Sequence, residues 1–195
     1  MGVFKHAEFD NHESLHYFHD EKSGLQAIIA VHSTALGPAA GGTRRWVYNN
    51  DADALTDVLR LSRGMTYKNA VAGLKFGGGK AVILANDSAP KSPELFRAFG
   101  RSVGSLGGRY VTAEDVGCSV DDMRYVREET EFVSGLPQIS GDAGGDPSPW
   151  TALGCHQGIE AAVKARLGTD SLQGIKVAVQ GVGPVSYTHL RAHET

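Results

Sequence analysis

Apolar and polar positions change period several times along the chain, and each change marks an expected element. Residues 15–20, LHYFHD, run into the turn signal EKSG and then into the apolar LQAIIAVH, which predicts a β-hairpin. Gly37-Pro38 breaks that second strand, and Gly41-Gly42 bare the backbone before another short strand. From Asp51 the spacing becomes helical. Leu55, Val58, Leu59 and Ser62 fall at i, i+3, i+4 and i+7, Asp51 and Asp53 suit the positive N-terminal end, and Lys68 lies near the far end. KAVILA, from Lys80, reads as a buried strand. Ser92-Pro93-Glu94 opens a second helix whose stripe of Leu95, Phe99, Val103 and Leu106 belongs to a core or a subunit interface. RYVTAEDVG is a strand running into an acidic loop, and SVDD caps a helix carrying Met123 and Val126.

A shift to Gly, Asp, Pro and Ser over residues 140–149 marks a hinge, with a domain boundary expected near 135–145. Helical spacing resumes through Cys155, Ile159, Ala162 and Val163 and stops at Leu167-Gly168. IKVAVQ then reads as a short buried strand leading straight into Gly181-Val182-Gly183. Strand followed by G-x-G is how a Rossmann dinucleotide fold begins, because its glycines let a pyrophosphate approach the next helix. No partner strands follow, so this strand and the helix before it should lack neighbours for their backbone groups and apolar faces.

The stretch with the densest chemistry is MTYKNAVAGLKFGGGKAVI, residues 65–83. Lys68 and Lys80 flank Gly73 and the run Gly77-Gly78-Gly79, read here as a loop bare enough for a small ligand to touch the backbone. Burial at a strand start disfavours the ammonium of Lys80, and a second lysine nearby pushes the same way. One lysine is then available as a base near neutral pH while the other holds an anion. A phosphate loop is excluded, since G-x-x-x-x-G-K-[ST] would need glycine where Leu74 stands and a hydroxyl where Ala81 stands. Asp115, at a strand exit, is read either as a solvated loop carboxylate or as one that meets a substrate ammonium or relays a proton beside Lys80.

Residues 12–16, HESLH, match the zinc-protease pattern, but the pattern needs a helix and the surroundings predict a hairpin. His12, His16 and His19 are expected as ordinary strand or loop histidines near a surface, and no metal is expected. The net charge of −3, with 21% charged and 41% hydrophobic residues, gives no electrostatic case for nucleic acid or an anionic membrane. No apolar run approaches the roughly 20 residues of a membrane helix, and MGVFKHAEFD lacks a signal core, so a cytoplasmic protein is expected. Cys118 and Cys155 are too few and too far apart for a disulfide framework and are read as small packed residues. Residues 186–195, SYTHLRAHET, put Ser186 where a third glycine is expected, resemble a read-through tail, and are left out of the fold reasoning.

Taken together, SGLQAIIAVH, GPAAGGTRRW, MTYKNAVAGLKFGGGKAVI, TAEDVG, GDPSPWTALG and VAVQGVG resemble, in order and spacing, the Glu/Leu/Phe/Val dehydrogenase family. The resemblance implies an α/β protein. An α/β/α substrate and oligomerisation domain would span residues 1–140, followed by the start of a truncated NAD-binding Rossmann domain at 141–185 and the tail at 186–195. It implies NAD-dependent oxidative deamination of an apolar L-amino acid, branched-chain and preferably leucine, by a homo-oligomer. Lys80 would be the catalytic base and Asp115 would assist proton transfer. Lys68 would hold the substrate carboxylate, with Gly41, Gly42, Ala40 and Met65 around the substrate. Gln180, Gly181, Val182, Gly183 and Thr151 would meet the cofactor. Ala40 stands where leucine-preferring members tend to carry leucine, which leaves more room for a side chain and keeps valine and phenylalanine open as substrates.

Overall fold

The structure, a computed structural model, describes residues 2–85, 90–137, 144–181, 183 and 186. The chain divides into two compact units, residues 1–143 and residues 144–195.

The first unit is built on a six-stranded sheet. After a short 3-10 turn at Val3–Lys5, strands β1 (Ser14–Asp20) and β2 (Leu25–Ser33) form the expected antiparallel hairpin, with the Asp20 carboxylate accepting from the amide and hydroxyl of Ser23 in the turn. Short strands β3 (Ala39–Ala40) and β4 (Thr43–Trp46) follow, then helix α1 (Asp51–Val71), strand β5 (Gly77–Leu84), helix α2 (Pro93–Gly104), strand β6 (Tyr110–Val111) and helix α3 (Val120–Arg127). The sheet order is β1-β2-β5-β3-β6, with β4 also paired to β5. β2 runs antiparallel to β5, whereas β3 and β4 both run parallel to it, along its first and second halves. In effect β3 and β4 are one strand interrupted at Gly41-Gly42.

Side-chain alternation sorts the core into two layers. Leu25, Ala27, Ile29 and Val31 of β2 and Ala81 and Ile83 of β5 pack with Leu95, Phe96, Phe99 and Val103 of α2 and Met123 and Val126 of α3. Ile28 and Ala30 of β2 and Val82 of β5 pack on Ala54 and Val58 of α1. This is the α/β/α arrangement expected.

Local signals set the helix ends. The Asn50 side chain accepts from the Asp53 amide to start α1, and Gly73, at φ +69°, turns the chain out of it while the Leu74 amide reaches back to Asn69 O at 3.0 Å. Ser92 caps α2, and Ser119 with Asp122 makes a capping box on α3.

Several expectations need correction. Gly77-Gly78-Gly79 is the first half of β5, not a loop. A Cβ on Gly78 would run into the backbone of Thr66 in α1, and one on Gly79 would lie 2.7 Å from the Tyr110 ring. These glycines let a helix and a tyrosine ring sit close to the strand, so protein occupies the space assigned to a ligand. His12 is buried, not near the surface, because α1 passes over it and its Nε2 lies 3.0 Å from Leu59 O and 3.1 Å from Ser62 Oγ. Cys155 is exposed.

In the second unit, helix α4 (Ser148–Leu167) ends at Gly168 in the left-handed region, φ +71°. Only Ser148, Ala152 and Val163 of this helix are buried, and Leu153 and Leu167 are exposed. Ile175 to Gln180 belongs to no strand and has no strand partner among the described residues, and Val177 and Val179 are exposed. The expected buried strand is therefore absent: an apolar run becomes a strand only when a neighbour takes its backbone hydrogen bonds. Part of the expected hinge, residues 140–143, and the tail beyond Ser186 lie outside the described residues.

Candidate active site

Period-two alternation along β5 turns Lys80 to the face that carries Val82 and looks toward α1. Its side chain is only 7% exposed, and its Nζ donates to Asp115 Oδ2 at 2.8 Å. Asp115 is brought there by the segment after β6, which continues alongside β4: the Thr43 amide donates to Ala113 O at 2.8 Å and the Arg45 amide to Val116 O at 2.9 Å.

The interruption between β3 and β4 lies beside this pair. A Cβ on Gly41 would meet Gly79 O and come within 3.0 Å of the Met65 side chain, and one on Gly42 would come within 3.0 Å of Asp115 Cβ. Tyr110, fully buried, donates its hydroxyl to Gly41 O at 2.6 Å, which holds the interruption in place from below. Ala40, in β3, is tied to α1 through Asn69, whose side-chain amide donates to Ala40 O at 3.4 Å and Gly77 O at 2.6 Å. The structure thus brings together Lys80, Asp115, Gly41, Gly42, Ala40 and Met65. Lys68 lies three residues beyond Met65 on α1, exposed, and takes no part in the ion pairs among the described residues.

Sequence reading missed three members of this cluster. Arg44 donates from Nε to Asp115 Oδ2 at 3.2 Å and from Nη1 to both carboxylate oxygens of Asp57 at 3.3 and 3.0 Å. The Tyr48 hydroxyl donates to Asp57 Oδ2 at 2.7 Å. A cleft of about 570 Å³, lined by Arg44, Trp46, Tyr48, Asp57, Arg60 and Val116 among others, opens on this arm. Arg44 was visible in GGTRRW, but nothing local says that β4 will place it between two carboxylates 13 and 71 residues away.

The electrostatics follow from burial and charge. Burial pushes the Lys80 ammonium below its ordinary value and Arg44 adds to that, while Asp115 opposes both without overcoming them. The cation acting on Lys80 is Arg44, where the sequence suggested Lys68. For Asp115 burial works upward, but the Lys80 ammonium, a hydrogen bond from the Val116 amide and Arg44 hold the carboxyl below its ordinary range. A buried amine that gives up its proton more readily than a free lysine, against a carboxylate that stays ionised, is a pair able to take and return a proton.

The residues expected to meet a dinucleotide give a different picture. The Thr151 hydroxyl donates to Pro147 O at 3.0 Å, and Gln180 ends an unpaired, exposed segment. A Cβ on Gly183 would meet nothing within 4 Å, and one on Gly181 would meet only Ser186 Oγ at 3.8 Å. Val182 lies outside the described residues. The described residues of this segment do not form a cradle that a pyrophosphate would fill.

Comparison with known proteins decides the family. The model for the Glu/Leu/Phe/Val dehydrogenase dimerisation domain matches residues 12–132. The chain belongs to the Glu/Leu/Phe/Val dehydrogenase family. It is 54% identical over 191 residues to leucine dehydrogenase of Bacillus subtilis, covering 98% of this chain and 52% of that protein. It is 52% identical to valine dehydrogenase of Streptomyces virginiae, covering 96% of this chain and 52% of the relative. The crystal structure of L-tryptophan dehydrogenase from Nostoc punctiforme superposes with a TM-score of 0.69 at 46% identity, over 94% of this chain and 52% of that one. The chain spans about half the length of these Glu/Leu/Phe/Val dehydrogenase relatives. Among the described residues no helix is long and apolar enough to cross a membrane.

Proposed function

We propose that the protein is an amino-acid dehydrogenase that carries out NAD-dependent oxidative deamination of a branched-chain L-amino acid, leucine preferred, to the 2-oxo acid and ammonia. The observation that carries this reading is the buried Lys80–Asp115 pair at 2.8 Å beside the Gly41-Gly42 interruption, in a chain of this family. Once the amino acid has been oxidised to the imine, three proton movements remain. Water must lose a proton as its oxygen bonds to carbon, and the resulting carbinolamine must lose its hydroxyl proton and protonate its nitrogen to expel ammonia. Neutral Lys80 takes the proton from water, its ammonium returns one to the departing nitrogen, and the amine so freed takes the hydroxyl proton as ammonia leaves. Asp115 stays ionised and steadies the ammonium in between. Lys68 pairs with the substrate carboxylate, and Ala40, Gly41, Gly42 and Met65 border the substrate.

NAD as hydride acceptor belongs to the proposal for a chain as long as the relatives, since the Gly181 segment here forms no cradle for it. A homo-oligomeric, cytoplasmic enzyme is part of the same reading, its oligomeric part supported by a match to a domain whose description is dimerisation.

The test is absorbance of NADH with full-length protein, NAD and each of leucine, valine, isoleucine and phenylalanine; no turnover with any of the four refutes the function. Faster turnover of valine or phenylalanine moves the preference to those substrates, a direction the small Ala40 would favour. Lys80→Ala should remove turnover with a modest change in substrate affinity, and Lys68→Ala should chiefly raise KM. A near-normal kcat in Lys80→Ala would show that Lys80 is not the base. Calorimetry on the 195-residue chain should give no NAD binding, and the chain then acts only as a ligand-binding and oligomerisation module; micromolar affinity overturns the reading of the Gly181 segment.

A further inference from the structure

Arg44 stands in β4 two residues after Gly42, and its guanidinium joins two carboxylates from opposite sides of the site. The Asp115 oxygen that accepts from Arg44 Nε is the same Oδ2 that accepts from Lys80 Nζ. On its far side Arg44 grips Asp57 of α1, and Asp57 is itself fixed by the Tyr48 hydroxyl at the cleft. Of the groups facing Lys80, Arg44 from β4 is permanently charged, and Asp115 and Asp57 are paired carboxylates. Of these four groups, Lys80 is the one whose proton burial makes easier to lose. With Lys80 protonated the four charges cancel. Removing either outer member therefore changes how readily that proton leaves, and the two removals act in opposite directions.

We propose that Arg44, anchored by Asp57, is a positioning residue for the proton-handling pair: it holds Asp115 Oδ2 against Lys80 Nζ and, as a fixed cation on the same oxygen, weakens the carboxylate's grip on the ammonium proton. Its mechanistic meaning rests on the base role given to Lys80 above. Without Arg44 the carboxylate serves Lys80 alone and keeps it protonated to higher pH. Without the Asp57 charge, Arg44 bears more strongly on Asp115 and Lys80 is released at lower pH.

Side-chain NMR of the lysine Cε and Nζ, on this 195-residue chain, reads the Lys80 titration directly, with Lys80→Arg identifying its signal. Arg44→Gln should move the midpoint up by about one pH unit, Asp57→Asn should move it down, and Arg44→Lys should return it toward the parent. In full-length protein the acid limb of kcat/KM should move in the same two directions, so that Arg44→Gln loses about tenfold in rate at a fixed pH below the limb. A merely structural role would lower activity in both variants without opposed shifts. Midpoints that stay put, or move the same way in both variants, overturn the proposal. Should Arg44→Gln fail to fold, the isosteric Asp57→Asn decides alone, and an unmoved midpoint there overturns it. Absence of amino-acid turnover in the parent would refute the proposed function, while the titrations would still decide whether Arg44 governs Lys80.

Discussion

Replacing Gly78 with alanine tests the idea that the glycine run exists to let α1 lie close on β5. The added methyl would stand 2.5 Å from Thr66 Cα and nearer still to the Thr66 amide and hydroxyl. Carbon atoms settle at roughly 3.5–4.0 Å, so α1 must withdraw by about 1 Å, and a gap of that size forfeits a quarter to a half of the dispersion energy of the atoms lining it. Those atoms belong to Ala54 and Val58 against Ile28, Ala30 and Val82. Because the obstacle is helix backbone, which cannot rotate away, we expect a loss near the upper end of overpacking costs, about 3 kcal/mol. That corresponds to a Tm lower by about 10 °C in a domain of this size. Urea and thermal melts of the chain measure it. Gly64→Ala is the control: it lies within α1, its Cβ would meet nothing within 4 Å, and it should stabilise by about 0.5–1 kcal/mol through helix propensity. A Gly78→Ala variant within about 0.5 kcal/mol of the parent would refute the close-packing account and return the run to the role of a ligand-facing surface.

Four further outcomes follow from the geometry. Lys80 has a folded pKa below its ordinary 10.5, so the unfolded chain holds more protons above that folded value. Burying the ammonium costs stability in full below it, and the cost is relieved as pH rises from the folded value toward 10.5; urea midpoints should therefore rise more as pH is raised toward 10.5 in the parent than in Lys80→Met. Asp115 behaves oppositely, being held below 3.8: its stabilisation is complete above that pH and is lost as acid carries the chain through the folded value, a loss Asp115→Asn should not show. Ser119→Ala breaks the capping box on α3 and should cost about 0.5–2 kcal/mol in urea unfolding. With a colorimetric thiol reagent, exposed Cys155 should react at once, whereas Cys118, pushed up to about 12 by burial, should wait for unfolding.

What the sequence made legible is what depends on neighbours a few residues apart. The hairpin, the two capped helix starts at Ser92 and Ser119 and the apolar face of α1 are written in spacing and capping residues, and the structure has them. Legibility fails where a partner comes from far along the chain. The glycines at 77–79 announce that something approaches closely, but only the packing of Thr66 and Tyr110 says what. His12 looked like surface because the residues that bury it, Leu59 and Ser62, lie 47 and 50 positions away. The Arg44–Asp57 arm depends on β4 lying beside β5 and on α1 folding back over both. The Ile175 to Gln180 run shows the reverse error, a correct apolar signal with no neighbour to complete it.

The place of β5 also sets an order of events during synthesis. Among the described residues this strand pairs with β2, β3 and β4, all of which precede it in the chain, and with no strand that follows it. A nascent polypeptide can close the β1–β2 hairpin and wind α1 early, yet the sheet cannot assemble until residue 84 has cleared the ribosome. Until then Ile28, Ala30 and the apolar side of α1 stand open to solvent and to chaperones. At roughly 5–20 residues per second, that interval lasts seconds, and it is the period in which this chain is most exposed to misassociation with its own copies.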